Sequence, residues 1–362
     1  MKLYPFLFEP NLHPVVWGGD AITRWKGLPD AGEPIGESWE VSAVPTSVGV
    51  IANGALKGQD LNSVIEQYGE EILGTEVSRR YDNRLPLLVK FIDARQDLSI
   101  QVHPNDEMAH RLHGKRGKTE MWYIIDAQPG AYLYAGFSEP MAPTDADGEV
   151  VSREEAMNEY RKRVAEGTIT EVLAKHEVKA GDVFFLPAGR VHAICSGILL
   201  AEVQQSSDVT YRIFDYNRPG MDGKPRELHT ELAAEALDYR VTDSYRTPYD
   251  YQPETANPVI DSSFFSVRVV DVNGAFHRNL IKYDSFIISM CLQGDCRIKI
   301  RDTGDEVLLR EGYSTLIPAS IADYDLIPAN ERGRSLMLDA YIDNKTRDLG
   351  SRLSRFLHLT RK

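Results

Sequence analysis

The chain has 362 residues, 42% of them hydrophobic and 26% charged, a globular composition with length for two domain-sized cores that excludes disordered and collagen-like classes. Against 54 Asp and Glu stand 41 Lys and Arg, a net charge of −13, and the pI is near 5.2. That balance opposes non-specific binding to nucleic acid or anionic membrane, so an anionic ligand requires a local basic patch.

No apolar run approaches the roughly 18 residues that span a bilayer. The start MKLYPFLFEPNLHP sets Pro5 and Glu9 where a signal peptide requires an unbroken apolar stretch, so a cytoplasmic protein with no membrane or nucleic-acid partner is expected. Cys195, Cys291 and Cys296 are odd in number and form no CxxC pair, and they read as reduced, structural thiols.

Short β-type runs dominate: Leu87 to Asp93, Leu98 to His103, Met121 to Ile125, Val183 to Leu186, Ile198 to Gln205 and Thr210 to Phe214, separated by Gly, Pro and Asp. This pattern predicts a barrel or sandwich. Ser152 with Glu155 and Thr168 with Glu171 form two capping boxes, so 152–176 is expected as a small helical insertion. From Pro225 to Leu237, apolar Leu228, Leu232 and Ala236 recur every four residues and predict a further helix. The polar stretch 241–258, with three prolines, is expected to link a first domain over 1–240 to a second over 259–362. Within the second, 311–325 aligns without gaps on 180–194, sharing a Gly, a Pro and an Ala but placing Asp323 where the first copy has His192. That fits a duplicated barrel in which one copy keeps a metal site.

Side chains alternate along a strand, so in LSIQVHP (98–104) Leu98, Ile100 and Val102 point one way and Ser99, Gln101 and His103 the other. Inside a barrel, Gln101 and His103 would converge on one point; the same alternation also fits a solvent-exposed polar face ending at Pro104. Glu120 shares a strand face with Trp122, and His192 follows a Pro-Gly turn that re-enters the barrel. Two His and a carboxylate suit a divalent metal with an open position: zinc, or equally iron, manganese or cobalt. His110 and His113 lie three apart and could form a rival pair, but His113 fits the C-terminus of a short helix closed by Gly114. His13, His176, His229, His277 and His358 have no partner at ligand spacing and read as structural or exposed.

The loop GKRGKTE (114–120) gathers Lys115, Arg116 and Lys118 just before Glu120, with glycines that allow close approach of the backbone: a candidate phosphate patch, or a solvated basic loop. In 201–218, Glu202 and Gln204 share one face, and Thr210 and Arg212 another. Arg212 is either a fixed cation near the metal or the ion-pair partner of Asp208 or Asp215.

Taken together, GESWEVS (36–42), LPLLVKFIDA (85–94), SIQVHPND (99–106), GKTEMWYI (117–124), PAGRVHAI (187–194), AEVQQSSDVTYRIFDY (201–216) and GKPRELHTELA (223–233) resemble, in order, the short bacterial form of type I mannose-6-phosphate isomerases. The resemblance implies a mainly β, double cupin fold of two jelly-roll barrels, the second degenerate and without metal ligands. It implies one divalent metal, zinc, held by Gln101, His103, Glu120 and His192. It implies reversible conversion of mannose 6-phosphate to fructose 6-phosphate through a cis-enediolate by a monomer or weak homodimer. Arg212 matches the active-site arginine, and Lys118 and Glu202 match polar groups near the substrate; Lys118, Glu202 or a water on the metal could serve as base. Two other classes remain open from the residues alone: a cupin oxygenase, which usually has an acid two residues after a His, and a non-catalytic sugar-phosphate sensor.

Overall fold

The computed structural model describes residues 1–344 and is mainly antiparallel β, with four sheets of six, five, six and four strands. By contacts the chain divides into two compact units. One comprises Leu12–Ser38 and Val89–Thr247; the other comprises Met1–Asn11, Trp39–Leu88 and the described residues from Pro248 on. Each unit pairs a six-stranded sheet with a smaller one, the arrangement expected of a double cupin.

In the first of these units, the larger sheet runs in the order Leu12–Gly19, Ile35–Val41, Leu87–Ala94, Ile198–Gln205, Glu120–Ala127, Val183–Leu186. The smaller runs Tyr211–Phe214, Ile100–Val102, His192–Ile194, Tyr132–Phe137, Leu173–Glu177. Trp17, Ile92, Trp122 and Ile124 from one sheet meet Leu133, Ala135 and Ile194 from the other in a shared apolar core. The other unit repeats the plan, with Val270, Ile287 and Met337 packed on Cys296, Ile298 and Leu326. All three cysteines are buried and free. No helix among the described residues is long and apolar enough to cross a membrane.

This division differs from a cut between 1–240 and 259–362. Strand Phe6–Leu7 pairs with Ser314–Ile317, and the Thr315 hydroxyl donates to the Phe6 carbonyl at 2.8 Å. Helix Leu61–Leu73 is tied to the same barrel where Ala319 N donates to Ile72 O. Backbone pairing therefore carries 1–11 and 39–88 to the C-terminal barrel. The proline-bearing stretch is not a free linker either: Tyr245 is buried with its hydroxyl on Phe137 O at 2.9 Å, and Tyr251 binds Asp271 at 2.6 Å.

Two helical expectations are also corrected. Ser152 caps helix Arg153–Glu166 as its capping box predicts, but Gly167 closes that helix in the left-handed region (φ 72°). Thr168 makes no side-chain cap, one 3₁₀ turn follows, and Leu173–Glu177 is a strand paired with Tyr132–Phe137. The helix expected over 225–237 begins only at Thr230, because the His229 backbone and ring are spent on Arg212: His229 N donates to Arg212 O at 2.7 Å, and Arg212 N to His229 Nδ1 at 3.2 Å. Leu228 is consequently exposed while Ala233 and Ala234 are buried.

In helix Leu61–Leu73, Leu61, Val64, Ile65 and Ile72 bury one face and Asp60 is the cap, accepting from Ser63 N at 3.0 Å. The Ser63 hydroxyl and backbone hold the Asp60 carboxyl below its ordinary value of 3.8. A depressed carboxyl contributes stability that is present above the unfolded-state value and lost as pH falls through the folded one. Asp60→Ala is therefore expected to cost about 1 kcal/mol at pH 7. In urea unfolding series at descending pH, the gap to wild type should close below the ordinary aspartate range; a constant gap would exclude the cap as its origin.

Candidate metal centre

Three adjacent strands of the smaller sheet set the floor of the site. Antiparallel register places Arg212 opposite Gln101, and Gln101 opposite His192, so the three side chains form one row on one face. Across from them, Glu120 stands opposite Gln204 in the larger sheet, two residues from Trp122, which stands opposite Glu202. His103 follows the strand carrying Gln101, and its ring centroid lies 4.8 Å from that of His192.

His103, Glu120 and His192 are each at most 1% exposed, and one ligand atom from each lies within 4.8 Å of the others. His103 Nε2 is 3.4 Å from Glu120 Oε2, and His192 Nε2 is 3.3 Å from Glu120 Oε1. The other ring nitrogens decide the tautomers. His103 Nδ1 meets Val209 O at 3.0 Å and His192 Nδ1 meets Arg190 O at 2.8 Å. A carbonyl only accepts, so each Nδ1 carries the proton and each Nε2 presents its lone pair to the carboxylate. Burial first, then the Lys118 ammonium, pushes His103 down to about 3; burial likewise lowers His192. Both rings are therefore neutral at pH 7.

The result is acceptor facing acceptor. Neither Glu120 oxygen, nor His103 Nε2, has a hydrogen-bond partner. Burial pushes the Glu120 carboxyl up, but the Lys118 ammonium at 3.0 Å outweighs it and holds the group ionised. Unpartnered buried acceptors of this kind are costly unless a cation lies among them. Two imidazoles and a carboxylate, oriented by backbone carbonyls, fit a divalent metal. The Gln101 carboxamide nitrogen is 3.4 Å from His192 Nε2, and since amide oxygen and nitrogen exchange by a half-turn, this side chain can offer oxygen to the same cation.

The remaining candidates separate. Lys118 is buried against Glu120, whereas Lys115 is half exposed and pairs with Asp208 at 2.6 Å. Arg116 is partly buried. Arg212 makes no ion pair among the described residues: Asp208 is taken by Lys115, and Asp215 by Arg218 and Arg226. Its Nη1 donates to Glu227 O at 3.0 Å, and its buried Nε has no partner. Glu202 is 3% exposed and accepts from the Trp122 indole at 3.1 Å. Burial, then the Glu120 charge, raises its carboxyl. Lys90 and Glu37, not singled out from the sequence, join Glu202 in one ion-pair chain; the signal available was a Lys set among Leu87, Leu88, Val89, Phe91 and Ile92 in one fully buried strand.

The rival histidines lie elsewhere. His113 binds the Tyr211 hydroxyl at 2.8 Å, His176 the Ala135 carbonyl at 3.2 Å and His277 Asp323 at 2.6 Å. His110 is exposed, and His358 lies outside the described residues.

A cation that binds only the folded site raises stability by about 2.7 kcal/mol at a hundredfold excess over its Kd. Adding a divalent metal to chelator-stripped protein should produce such a gain in denaturant unfolding, and His103→Ala or Glu120→Leu should abolish it. An equal gain in those variants would place the metal elsewhere.

Comparison with known proteins agrees with this geometry. Residues 6–125 match the family model described as phosphomannose isomerase type I, catalytic domain. The mannose-6-phosphate isomerase ManA of Bacillus subtilis is 33% identical over 330 residues, spanning 90% of this chain and 96% of that protein. The mannose-6-phosphate isomerase of Streptococcus mutans is 32% identical over 321 residues, 88% of this chain and 94% of that one. Among solved structures, the mannose 6-phosphate isomerase from Bacillus subtilis superposes with a TM-score of 0.79 at 29% identity, covering 94% of this chain and 99% of its own. With its double barrel, its buried His–Glu–His cluster and relatives a third identical along nearly their whole length, the chain belongs to the type I phosphomannose isomerase family.

Proposed function

We propose that this protein interconverts mannose 6-phosphate and fructose 6-phosphate, with a divalent metal, zinc, held by Gln101, His103, Glu120 and His192. The observation that carries this reading is the convergence of unpartnered buried acceptors on one point in a chain of this family. Neither a cupin oxygenase nor a sugar-phosphate sensor is favoured by the relatives, which are isomerases. Three buried, free thiols fit a reducing, cytoplasmic setting.

Isomerisation moves a proton between C1 and C2 and places negative charge on an enediolate oxygen. The bound cation supplies Lewis-acid stabilisation of that charge. The chain supplies the rest. Glu202 is assigned the proton transfer: burial raises its carboxyl above the ordinary glutamate value, which strengthens it as a base, and its Oε1 accepts no hydrogen bond. Arg212, half desolvated and in the same row as Gln101, presents an unpaired guanidinium to the developing charge. Lys118 keeps Glu120 ionised for the metal and offers its remaining N–H groups to substrate oxygens. The phosphate is assigned to the loop of Lys115 and Arg116, where Lys115 must exchange Asp208 for the ligand.

A coupled assay for fructose 6-phosphate formed from mannose 6-phosphate tests the whole reading: turnover should vanish on chelation and return with zinc. No turnover at any metal would sink it. Arg212→Ala should lower kcat by about a hundredfold or more with KM little changed. Near-normal kcat with a raised KM would instead make Arg212 a ground-state binding group.

A further inference from the structure

A single row of side chains crosses the six-stranded sheet of the metal-bearing unit. The strands lie in the order Leu12–Gly19, Ile35–Val41, Leu87–Ala94, Ile198–Gln205, Glu120–Ala127. His13 stands opposite Glu37 on the first two, and Glu202 opposite Trp122 on the last two. Between them the central strand inserts Lys90, its ammonium 3.2 Å from Glu37 Oε2 and 3.5 Å from Glu202 Oε1. The row thus alternates acceptor, cation and acceptor, and ends on Trp122, whose indole N–H donates to Glu202 Oε2 at 3.1 Å and whose ring stands perpendicular to that of His192 at 5.3 Å between centroids.

Lys90 is 7% exposed. Burial works against its charge, but Glu37 and Glu202 outweigh that and the ammonium keeps its proton. Glu202 is consequently gripped at both oxygens, by the indole on one and the ammonium on the other. The grip is unequal: the indole contact is a hydrogen bond, whereas Oε1 is ion-paired to the ammonium without accepting one.

We propose that Lys90, braced by Glu37, is a positioning residue that fixes the Glu202 carboxylate for proton transfer without itself touching substrate. This rests on the isomerase reading above and extends it to groups outside the proposed contacts. A carboxylate free to rotate would spend part of its time with the wrong oxygen inward, and misplacement of a reacting group is expensive in rate even where binding is intact. Lys90 cannot be replaced by an apolar chain of similar length without leaving the buried Glu202 and the partly buried Glu37 facing each other across a gap.

The test compares wild type, Lys90→Met, Lys90→Arg and the double variant Lys90→Met/Glu37→Gln as full, metal-loaded chains, with kcat normalised to measured metal content. Expected is a loss of about a hundredfold in kcat for Lys90→Met and for the double variant, KM held within about threefold, unchanged metal per chain, and at least about tenfold recovery in Lys90→Arg. The double variant removes a whole charge pair, so it reports on positioning even where the single one fails to fold. Raised KM with kcat intact would make Lys90 a substrate-binding group, and wild-type kcat in the double variant would make the pair purely structural; either result overturns the proposal. Wild type that turns over no mannose 6-phosphate at any metal would remove the reaction itself, a failure separate from those two.

Discussion

Two neutral imidazoles and an ionised carboxylate, all buried, face each other with no proton between them. In an interior of low dielectric this is unfavourable on its own and becomes favourable around a cation. The rest of the site serves to keep it so. Carbonyls of Val209 and Arg190 hold each imidazole proton on the far nitrogen, and Lys118 keeps Glu120 ionised without donating a well-formed hydrogen bond that would satisfy it. An alternative arrangement in which an imidazole donated to Glu120 would relieve the frustration and spoil the ligand set. Both rings are prevented from doing so by main chain, which does not titrate.

The same logic of charge against burial extends across the larger sheet. Glu37, Lys90 and Glu202 come from three neighbouring strands and are each poorly accessible. None could be buried alone, since an uncompensated charge at that depth costs several kcal/mol. In alternation they are tolerated, and the alternation ends on a carboxylate whose proton affinity is raised. Glu120 and Glu202 thereby occupy neighbouring positions with opposite tendencies, one held ionised by Lys118, the other pushed toward protonation by burial and by Glu120 itself. Carboxyls driven apart in this way are suited to different tasks.

The other barrel shows what the plan becomes without the acceptors. The strand, Pro turn and strand of 183–194 recur as Ser314–Ile317 followed by Asp323–Pro328. Where the first has His192 buried among acceptors, the second has a partly exposed Asp323, bound to His277 at 2.6 Å. In its interior, Asp339 accepts from Arg278 at 2.8 Å and from Ser289 at 2.5 Å.

Much was legible in one dimension because it depended on local rules. Strand alternation put Gln101 and His103 on one face and Glu120 with Trp122 on another, helix Asp106–His113 ended at Gly114, and the Ser152 cap began a helix where its box required. Where local rules were outweighed, reading failed for identifiable reasons: His229 spent its backbone on Arg212 instead of a helical turn, and Phe6 was claimed by a strand 309 residues away. Residue types and their faces, and through them the family, were thus determined by sequence alone. Which carbonyl fixes each imidazole, which carboxylate Lys118 reaches, and that Lys90 stands between Glu37 and Glu202 were decided only by the fold, because each depends on strands that become neighbours through sheet pairing and leave no trace in sequence spacing.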